Sequence, residues 1–186
     1  MKIVLQIALL CLCLAGCDRA SQVTPEGRLR EALSKLSPAS TELDRFYALG
    51  DAAKQSFVLG KEVEAKKYAE ELLLLAKKLP RDWNYGNAIH DGNMVLGRVA
   101  AKAGQLDLAK RHLLEAGKTP GSPQLNTFGP NMSLAQDLIG RGARPEVLEY
   151  FQACQKFWQM EEGRLNEWAE QVRAGKTPSF GANLYY

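Results

Sequence analysis

The chain has 186 residues, of which 24 are lysine or arginine and 21 are aspartate or glutamate, for a formal net charge of +3. Because the two signs are interspersed, the sequence lacks the concentrated basic face with which nucleic-acid-binding proteins neutralise phosphates. Its length suits a single domain that follows a short amino-terminal segment.

That amino-terminal segment has the pattern of a bacterial secretory signal. Lys2 supplies its one charge, residues 3–14 are almost entirely apolar, and the small residues Ala15 and Gly16 precede Cys17. The apolar stretch is too short to span a bilayer and has the length found in signal peptides. The sequence therefore predicts a signal peptide over residues 1–16.

The four residues LAGC at positions 14–17 resemble the lipobox of bacterial lipoproteins. The resemblance implies that the Cys17 thiol receives diacylglycerol and that Cys17 becomes the amino terminus of a membrane-anchored chain. It also implies more than one acyl chain, which gives stable anchoring because each buried methylene contributes about 0.8 kcal/mol. Asp18 resembles an inner-membrane retention signal, so we favour the inner membrane, facing the periplasm, over the outer membrane. The alternative is an ordinary secretory signal with an incidental cysteine.

Removal of residues 1–16 leaves Cys154 as the one cysteine besides the lipidated Cys17. An internal disulfide is then impossible, and stability has to come from a packed core. Residues 17–24 are polar after the cysteine and show no periodicity, so we interpret them as a lipidated tether. Pro25 suits a first helical turn, and a helical domain is predicted over residues 25–186.

Apolar residues recur at helical spacing from Pro25 onward, and no strand-like alternation competes with them. The segment over residues 90–120 resembles a tetratricopeptide repeat at its packing positions: Leu96, Gly97, Ala100, Gly104, Asp107, Ala109, Leu113 and Ala116. In this pattern Gly97 and Ala109 allow two helices to approach closely, and Gly104 permits the turn between them. Two weaker copies have their turns at Gly60 and Gly142.

The resemblance implies an all-α fold in which two-helix, tetratricopeptide-like repeats stack as a short solenoid with a concave binding face. A generic helical bundle is the alternative. Residues 82–87 and 122–135 also resemble stretches of an uncharacterised group of bacterial tetratricopeptide-like proteins, and this likeness implies no activity. The helix that begins near Gly163 favours a different repeat phase from the copy centred on Gly142, so one of the two phases must be wrong.

An aromatic residue, a glycine and an asparagine occur in that order in three loops: residues 84–87, 127–131 and 179–183. The structural interpretation is that glycine and proline end helices, the aromatic residue docks on the core and asparagine caps the next helix. The middle connection, over residues 117–131, is long for a compact domain and for that reason is also a candidate binding loop.

Candidate catalytic and metal-binding residues are few. His90 and Asp91 are neighbours whose side chains should diverge on a helix, and His112 is expected on a solvated face. Cys154 lies among aromatic residues, where a buried, inert thiol is expected. These residues lack the spacing of a zinc site, so the sequence predicts no catalytic residue, no metal site and no cofactor.

The three tryptophans are expected to have different surroundings, with Trp158 and Trp168 in the core and Trp83 exposed. The residues that we expect to contact a partner lie in the loops: Trp83, Tyr85, Leu125, Phe128 and Asn131. The favoured function is therefore a membrane-anchored scaffold, not an enzyme, that binds a protein or peptide at the cell envelope. The alternatives are a small periplasmic hydrolase or metal-binding protein that uses His90, Asp91 or His112, and a structural assembly factor of an envelope complex.

Overall fold

The computed structural model describes residues 24–185, and within this range the only regular secondary structure is helical. The predicted signal peptide and the lipidation site Cys17 lie outside the described residues. In chain order the helices are α1 (Pro25–Ser34), α2 (Glu42–Val58), α3 (Glu62–Lys78), α4 (Tyr85–Lys102), α5 (Leu106–Gly117), α6 (Pro123–Phe128), α7 (Ser133–Ile139), α8 (Arg144–Cys154) and α9 (Arg164–Arg173), followed by a 3₁₀ turn (Gly181–Leu184). None of the described helices combines the length and the apolar character needed to cross a bilayer.

Local sequence signals fix the starts of several helices. Thr24 caps α1 by accepting a hydrogen bond from the backbone of Gly27, and Pro25 occupies the first helical turn as predicted. Thr41 and Asp44 form a reciprocal capping box at the start of α2. Such caps satisfy backbone N–H groups that would otherwise lack partners, and each is worth about 1 kcal/mol.

Three helical hairpins turn at glycines with positive φ. Gly60 (φ 72°) separates α2 from α3, Gly104 (φ 75°) separates α4 from α5, and Gly142 (φ 82°) separates α7 from α8. All three turn glycines were predicted. Helix α8 packs both on α7, across the Gly142 turn, and on α9, which follows it. Successive hairpins also contact each other, because α3 packs on α4 and α5 packs on α8.

The middle hairpin has the close helix contact expected from its small residues. A Cβ atom on Gly97 would lie 2.2 Å from Cδ2 of Leu134 and 3.1 Å from Cβ of His112. Ala109, on the facing helix, is fully buried. A larger side chain at position 97 would therefore separate α4 from both α5 and α7.

The largest apolar cluster joins helices α4 to α9 and the carboxyl-terminal turn. Its aromatic members contact one another at centroid distances of 5.0–6.4 Å and include Tyr150, Phe151, Trp158, Trp168 and Phe180. Trp158 and Trp168 thus lie in the core, as predicted. Cys154 is also fully buried, as predicted, and burial raises the pKa of its thiol well above the usual range.

The middle connection differs from its prediction. Residues 117–131 were treated as a loop without structure of its own, whereas they contain the short helix α6, which Ser122 caps by accepting from the backbone of Leu125. The aromatic residues of the recurring loops also differ from one another. Phe180 docks on the core as expected, but Phe128 is 74 % exposed and Tyr85 is half-buried.

Candidate functional site

The first recurring loop contacts the middle connection, over residues 117–131, which contains the second recurring loop. The hydroxyl of Thr119 donates to the carbonyl of Gly86 at 2.8 Å, and the hydroxyl of Ser122 donates to Oδ1 of Asn87 at 2.5 Å. The backbones approach so closely that a Cβ atom on Gly86 would lie 1.7 Å from the carbonyl oxygen of Gly121. The glycine of the first loop is therefore required by packing against Gly121 of the middle connection.

The third loop is hydrogen-bonded to the second in both directions. Nδ2 of Asn183 donates to the carbonyls of Phe128 and Pro130 at 3.1 and 3.0 Å, and the amide of Met132 donates to the carbonyl of Asn183 at 2.7 Å. Asn131 adds a bond from its own Nδ2 to the carbonyl of Tyr185 at 3.3 Å. All three loops thus meet on one side of the molecule.

Two adjacent cavities lie where the loops meet, with volumes of about 590 and 290 Å³. They share the lining residues Lys54, Asn87, Asp91 and Gln124 and so form one groove, which we call the loop groove. The stacked rings of Tyr47 and Trp83 line the smaller cavity, and Phe128 and Tyr185 line the larger one. The loop groove therefore has exposed aromatic residues at both ends and charged residues in the middle.

An ion pair between α2 and α4 forms the middle of the loop groove. Nζ of Lys54 lies 2.9 Å from Oδ2 of Asp91 and 3.2 Å from Oδ1 of Asp51. Lys54 and Asp91 retain only 17 % and 19 % of their side-chain exposure, so water screens their pair weakly, whereas Asp51 is 61 % exposed.

The charges of this pair stabilise each other against burial. Burial alone would raise the pKa of Asp91, but the Lys54 ammonium and the bond from His90 hold it well below its usual range. Burial alone would lower the pKa of Lys54, but Asp91 and then Asp51 raise it above its usual range. Both groups are therefore charged at neutral pH.

The predicted divergence of His90 and Asp91 is wrong, because Nδ1 of His90 lies 2.9 Å from Oδ1 of Asp91. Helix geometry separates the Cβ directions of neighbouring residues, yet it leaves the side-chain torsions free. The ammonium of Lys54 attracts the Asp91 carboxylate to the loop groove, where it also reaches His90. Nε2 of His90 lies 3.2 Å from the hydroxyl of Tyr150, and the imidazole is 1 % exposed.

Most polar side chains in the loop groove are committed to bonds within the fold. Both ring nitrogens of His90 and both carboxylate oxygens of Asp91 have partners, and so do both amide atoms of Asn87. Within residues 24–185 no three His, Cys, Asp or Glu side chains are placed to hold a metal ion. A ligand in the loop groove would therefore contact mainly exposed aromatic side chains and backbone atoms.

Trp83 and Phe128 are the predicted contact residues that the structure places on the accessible surface. Trp83 is 54 % exposed, and its ring stacks on Tyr47 at a centroid distance of 5.6 Å. Phe128 is 74 % exposed at the carboxyl end of α6. The two residues line opposite ends of the loop groove.

The other predicted contact residues have structural surroundings. Leu125 lines the larger cavity but is only 5 % exposed, since it packs in the main core, so it offers a partner little surface. Asn131 is 8 % exposed, and its Oδ1 accepts from the amide of Ser133 at 2.9 Å in a turn before α7, where the expected asparagine cap is absent. Tyr85 is half-buried against the apolar cluster formed by α2, α3 and α4.

His112 is partly buried, which corrects the expectation of a solvated face. Its Nδ1 lies 2.9 Å from Oδ1 of Asn93 on α4. Burial, and secondarily the neighbouring Arg111, lowers the pKa of His112. The residue lies on α5 and is absent from the lining of the loop groove.

The sequence prediction missed Lys54 and Arg164. Lys54 resembles an ordinary surface residue of α2, and its role depends on a partner 37 positions away. Arg164 lines the larger cavity, where its guanidinium lies 5.5 Å from the ring centroid of Trp158. The recurrence of asparagine in the three loops was a usable signal, because asparagine commonly bonds neighbouring backbone.

Comparison with known proteins finds no match. No protein family model, no curated protein and no solved structure is similar to this chain. The resemblance to tetratricopeptide repeats therefore remains a prediction from the sequence.

Proposed function

We propose that the chain is a lipid-anchored helical scaffold that binds a segment of a protein partner in the loop groove, at the bacterial cell envelope. The single observation that supports this proposal best is the convergence of three loops on one open groove with exposed aromatic residues at its ends. Large exposed aromatic side chains are the usual anchors of protein interfaces. The internally bonded polar groups between them keep the groove in shape before a partner arrives, which lowers the entropic cost of binding.

The repeat architecture is part of the same proposal. Hairpins that turn at Gly60, Gly104 and Gly142 have the order expected of stacked two-helix repeats. Helices α2 and α4, the first helices of their hairpins, both contribute to the loop groove. In a repeat stack, the first helices line the concave face, where an extended partner segment would bind.

The anchor proposal rests on the sequence pattern before Cys17. Lipid on Cys17 would confine the loop groove to a membrane surface, with Asp18 favouring the inner membrane and its periplasmic side. Metabolic labelling with palmitate tests this point. We expect label in the wild-type protein and none in Cys17→Ser, and an unlabelled wild-type protein would contradict the anchor.

The binding experiment compares affinity purification from crosslinked membranes for two double variants. Trp83→Ala with Phe128→Ala removes the anchors at both ends of the loop groove. Val63→Ala with Leu74→Ala is the matched control, since these α3 residues are 81 % and 60 % exposed and line no part of the groove. We expect the groove variant alone to lose one specific envelope protein, and equal recovery in both variants would contradict the proposal.

A second candidate function has one observation in its favour. The 2.9 Å contact between His90 and Asp91 at the loop groove resembles the way a carboxylate orients a catalytic imidazole. However, the other imidazole nitrogen is engaged by Tyr150, and the ring is almost fully buried. A hydrolase would require this contact to open, so we place the scaffold first.

A further inference from the structure

Two further cavities lie beside the loop groove, with volumes of about 320 and 440 Å³. They share Val58 and Arg98, so they form one depression, which we call the basic groove. The first cavity lies between the start of α1, where Arg28 lines it, and Tyr185, which follows the 3₁₀ turn. The second is lined by residues of α2, α4, α7 and the turn between α7 and α8.

The lining of the basic groove has a net positive charge, although its Lys102 is paired with Glu62, which lies outside the lining. The lining contains one anion, Asp137, against four cations: Arg28, Arg98, Lys102 and Arg141. Arg98 pairs with Asp137 at 3.0 Å and lies 4.5 Å from the ring centroid of Phe57, so it is held in place. Arg141 is exposed, and its guanidinium has no hydrogen bond or ion pair with any residue in the range 24–185.

The basic groove also contains the first described helical residue of the chain. Pro25 lines it, and Pro25 follows the predicted lipidated Cys17 by only eight positions. A fully extended chain of that length spans at most about 29 Å. If Cys17 carries lipid, the basic groove is held close to the headgroups of the membrane.

We propose that the basic groove docks on the membrane surface by binding the phosphates of anionic phospholipid headgroups. This inference rests on the anchor part of the proposed function. Guanidinium groups match phosphate geometry through paired hydrogen bonds. The guanidinium of Arg141 is exposed and has no partner among residues 24–185, so it can form such bonds with a headgroup phosphate. Val58 (49 % exposed) and Tyr185 (79 % exposed) add apolar and amphipathic contacts of the kind found at membrane interfaces.

The docking fixes the orientation of the molecule. Tyr185 lines both the basic groove and the larger cavity of the loop groove, so the two grooves adjoin. A basic groove resting on headgroups therefore presents the loop groove to partner segments that lie close to the same membrane. The electrostatic contact adds to the attachment that the acyl chains supply.

The test uses a chain that begins at residue 17 and carries Cys17→Ser, because it lacks lipid and retains every residue of the described fold. It is sedimented with vesicles of phosphatidylcholine alone and with vesicles that also contain phosphatidylglycerol. We expect binding to the anionic vesicles only, and weaker binding as salt is raised. Equal binding to both kinds of vesicle, or to neither, would overturn the inference.

Two charge-matched double variants then locate the contact. Arg28→Gln with Arg141→Gln should weaken anionic vesicle binding roughly 30-fold, since each cation near an anionic surface contributes about fivefold. Lys67→Gln with Lys77→Gln makes the same charge change on exposed positions of α3 and should alter binding less than twofold. An equal loss in both double variants would show that net charge, not the basic groove, drives the association.

Two additional measurements distinguish loss of lipid binding from loss of folding and from loss of partner binding. Arg141→Gln alone, at an exposed site, should reduce binding about fivefold without loss of helical circular dichroism. Trp83→Ala with Phe128→Ala should leave vesicle binding unchanged, because these residues lie outside the basic groove. If the loop groove binds no partner, the vesicle experiment still tests lipid docking. If the vesicles are not bound, the crosslinking experiment still tests partner binding.

Discussion

Replacement of Asp91 by alanine should destabilise the fold by about 3 kcal/mol at neutral pH. The substitution removes the 2.9 Å contacts of the carboxylate with Lys54 and His90, whereas the contact of the ammonium with the more exposed Asp51 remains. Breaking a fully buried pair costs about 3–5 kcal/mol, and the pair here is about one-fifth exposed, which favours the lower end. The measurement is urea denaturation followed by circular dichroism.

A double-mutant cycle shows whether the loss belongs to the ion pair. Lys54→Met keeps the apolar stem and should cost about 2 kcal/mol, while the double variant with Asp91→Ala should cost about 3 kcal/mol, a coupling of about 2 kcal/mol. The matched control is the ion pair between Glu42 and Lys78, which is about 60 % exposed on both sides. Loss of that pair in Glu42→Ala should cost less than about 0.5 kcal/mol.

The pH dependence of the free energy of unfolding tests the same ion pair independently. The folded-state pKa of Asp91 is depressed, so its contribution is complete above the unfolded pKa of about 3.9 and falls as pH drops below that value. The stability difference between wild type and Asp91→Ala should therefore narrow by about 1 kcal/mol between neutral pH and about pH 3. Additive single substitutions, or a difference that stays constant with pH, would refute the reasoning.

Three further predictions concern the packing around the grooves. Gly86→Ala should cost at least about 2 kcal/mol in urea denaturation, because its Cβ would overlap the Gly121 carbonyl at 1.7 Å, whereas Gly140→Ala, with nothing closer than 3.6 Å, should cost less than about 1 kcal/mol. Asn183→Ala should cost about 1.5 kcal/mol, since it removes the donor to two carbonyls of the middle loop; an unchanged denaturation midpoint would contradict this. Cys154 should react with a thiol reagent only in denaturant, and rapid labelling of the native chain would show that its burial is wrong.

The helical fold and its turns were predictable because their causes are local. The glycines at positions 60, 104 and 142 are each followed by a new segment in which apolar residues recur at helical spacing. In the structure all three have a positive φ, which other residues rarely adopt. The buried positions of Trp158 and Trp168 were also predictable, since tryptophans in a helical domain more often fill the core than the surface.

The candidate site was only partly predictable, because its contacts join residues that are distant in sequence. Trp83 and Phe128 could be selected from their loop positions, and both are exposed. Leu125 could not be distinguished from an exposed residue. Ser122 and Pro123 were not interpreted from the sequence as the start of the short helix α6, which buries Leu125. The bond between His90 and Asp91 was missed because the tertiary partner of Asp91 overrides the divergence expected of neighbours on a helix.

Site-specific photo-crosslinking of the lipidated protein in intact membranes tests the central claim most directly. A photoreactive phenylalanine analogue at position 128 replaces an exposed ring at the loop groove, and the same analogue at position 63 reports on an equally accessible surface of α3. The account predicts a discrete adduct with one envelope protein from position 128 and none from position 63. Identical adduct patterns from both positions, or no adduct from position 128, would contradict a binding function for the loop groove.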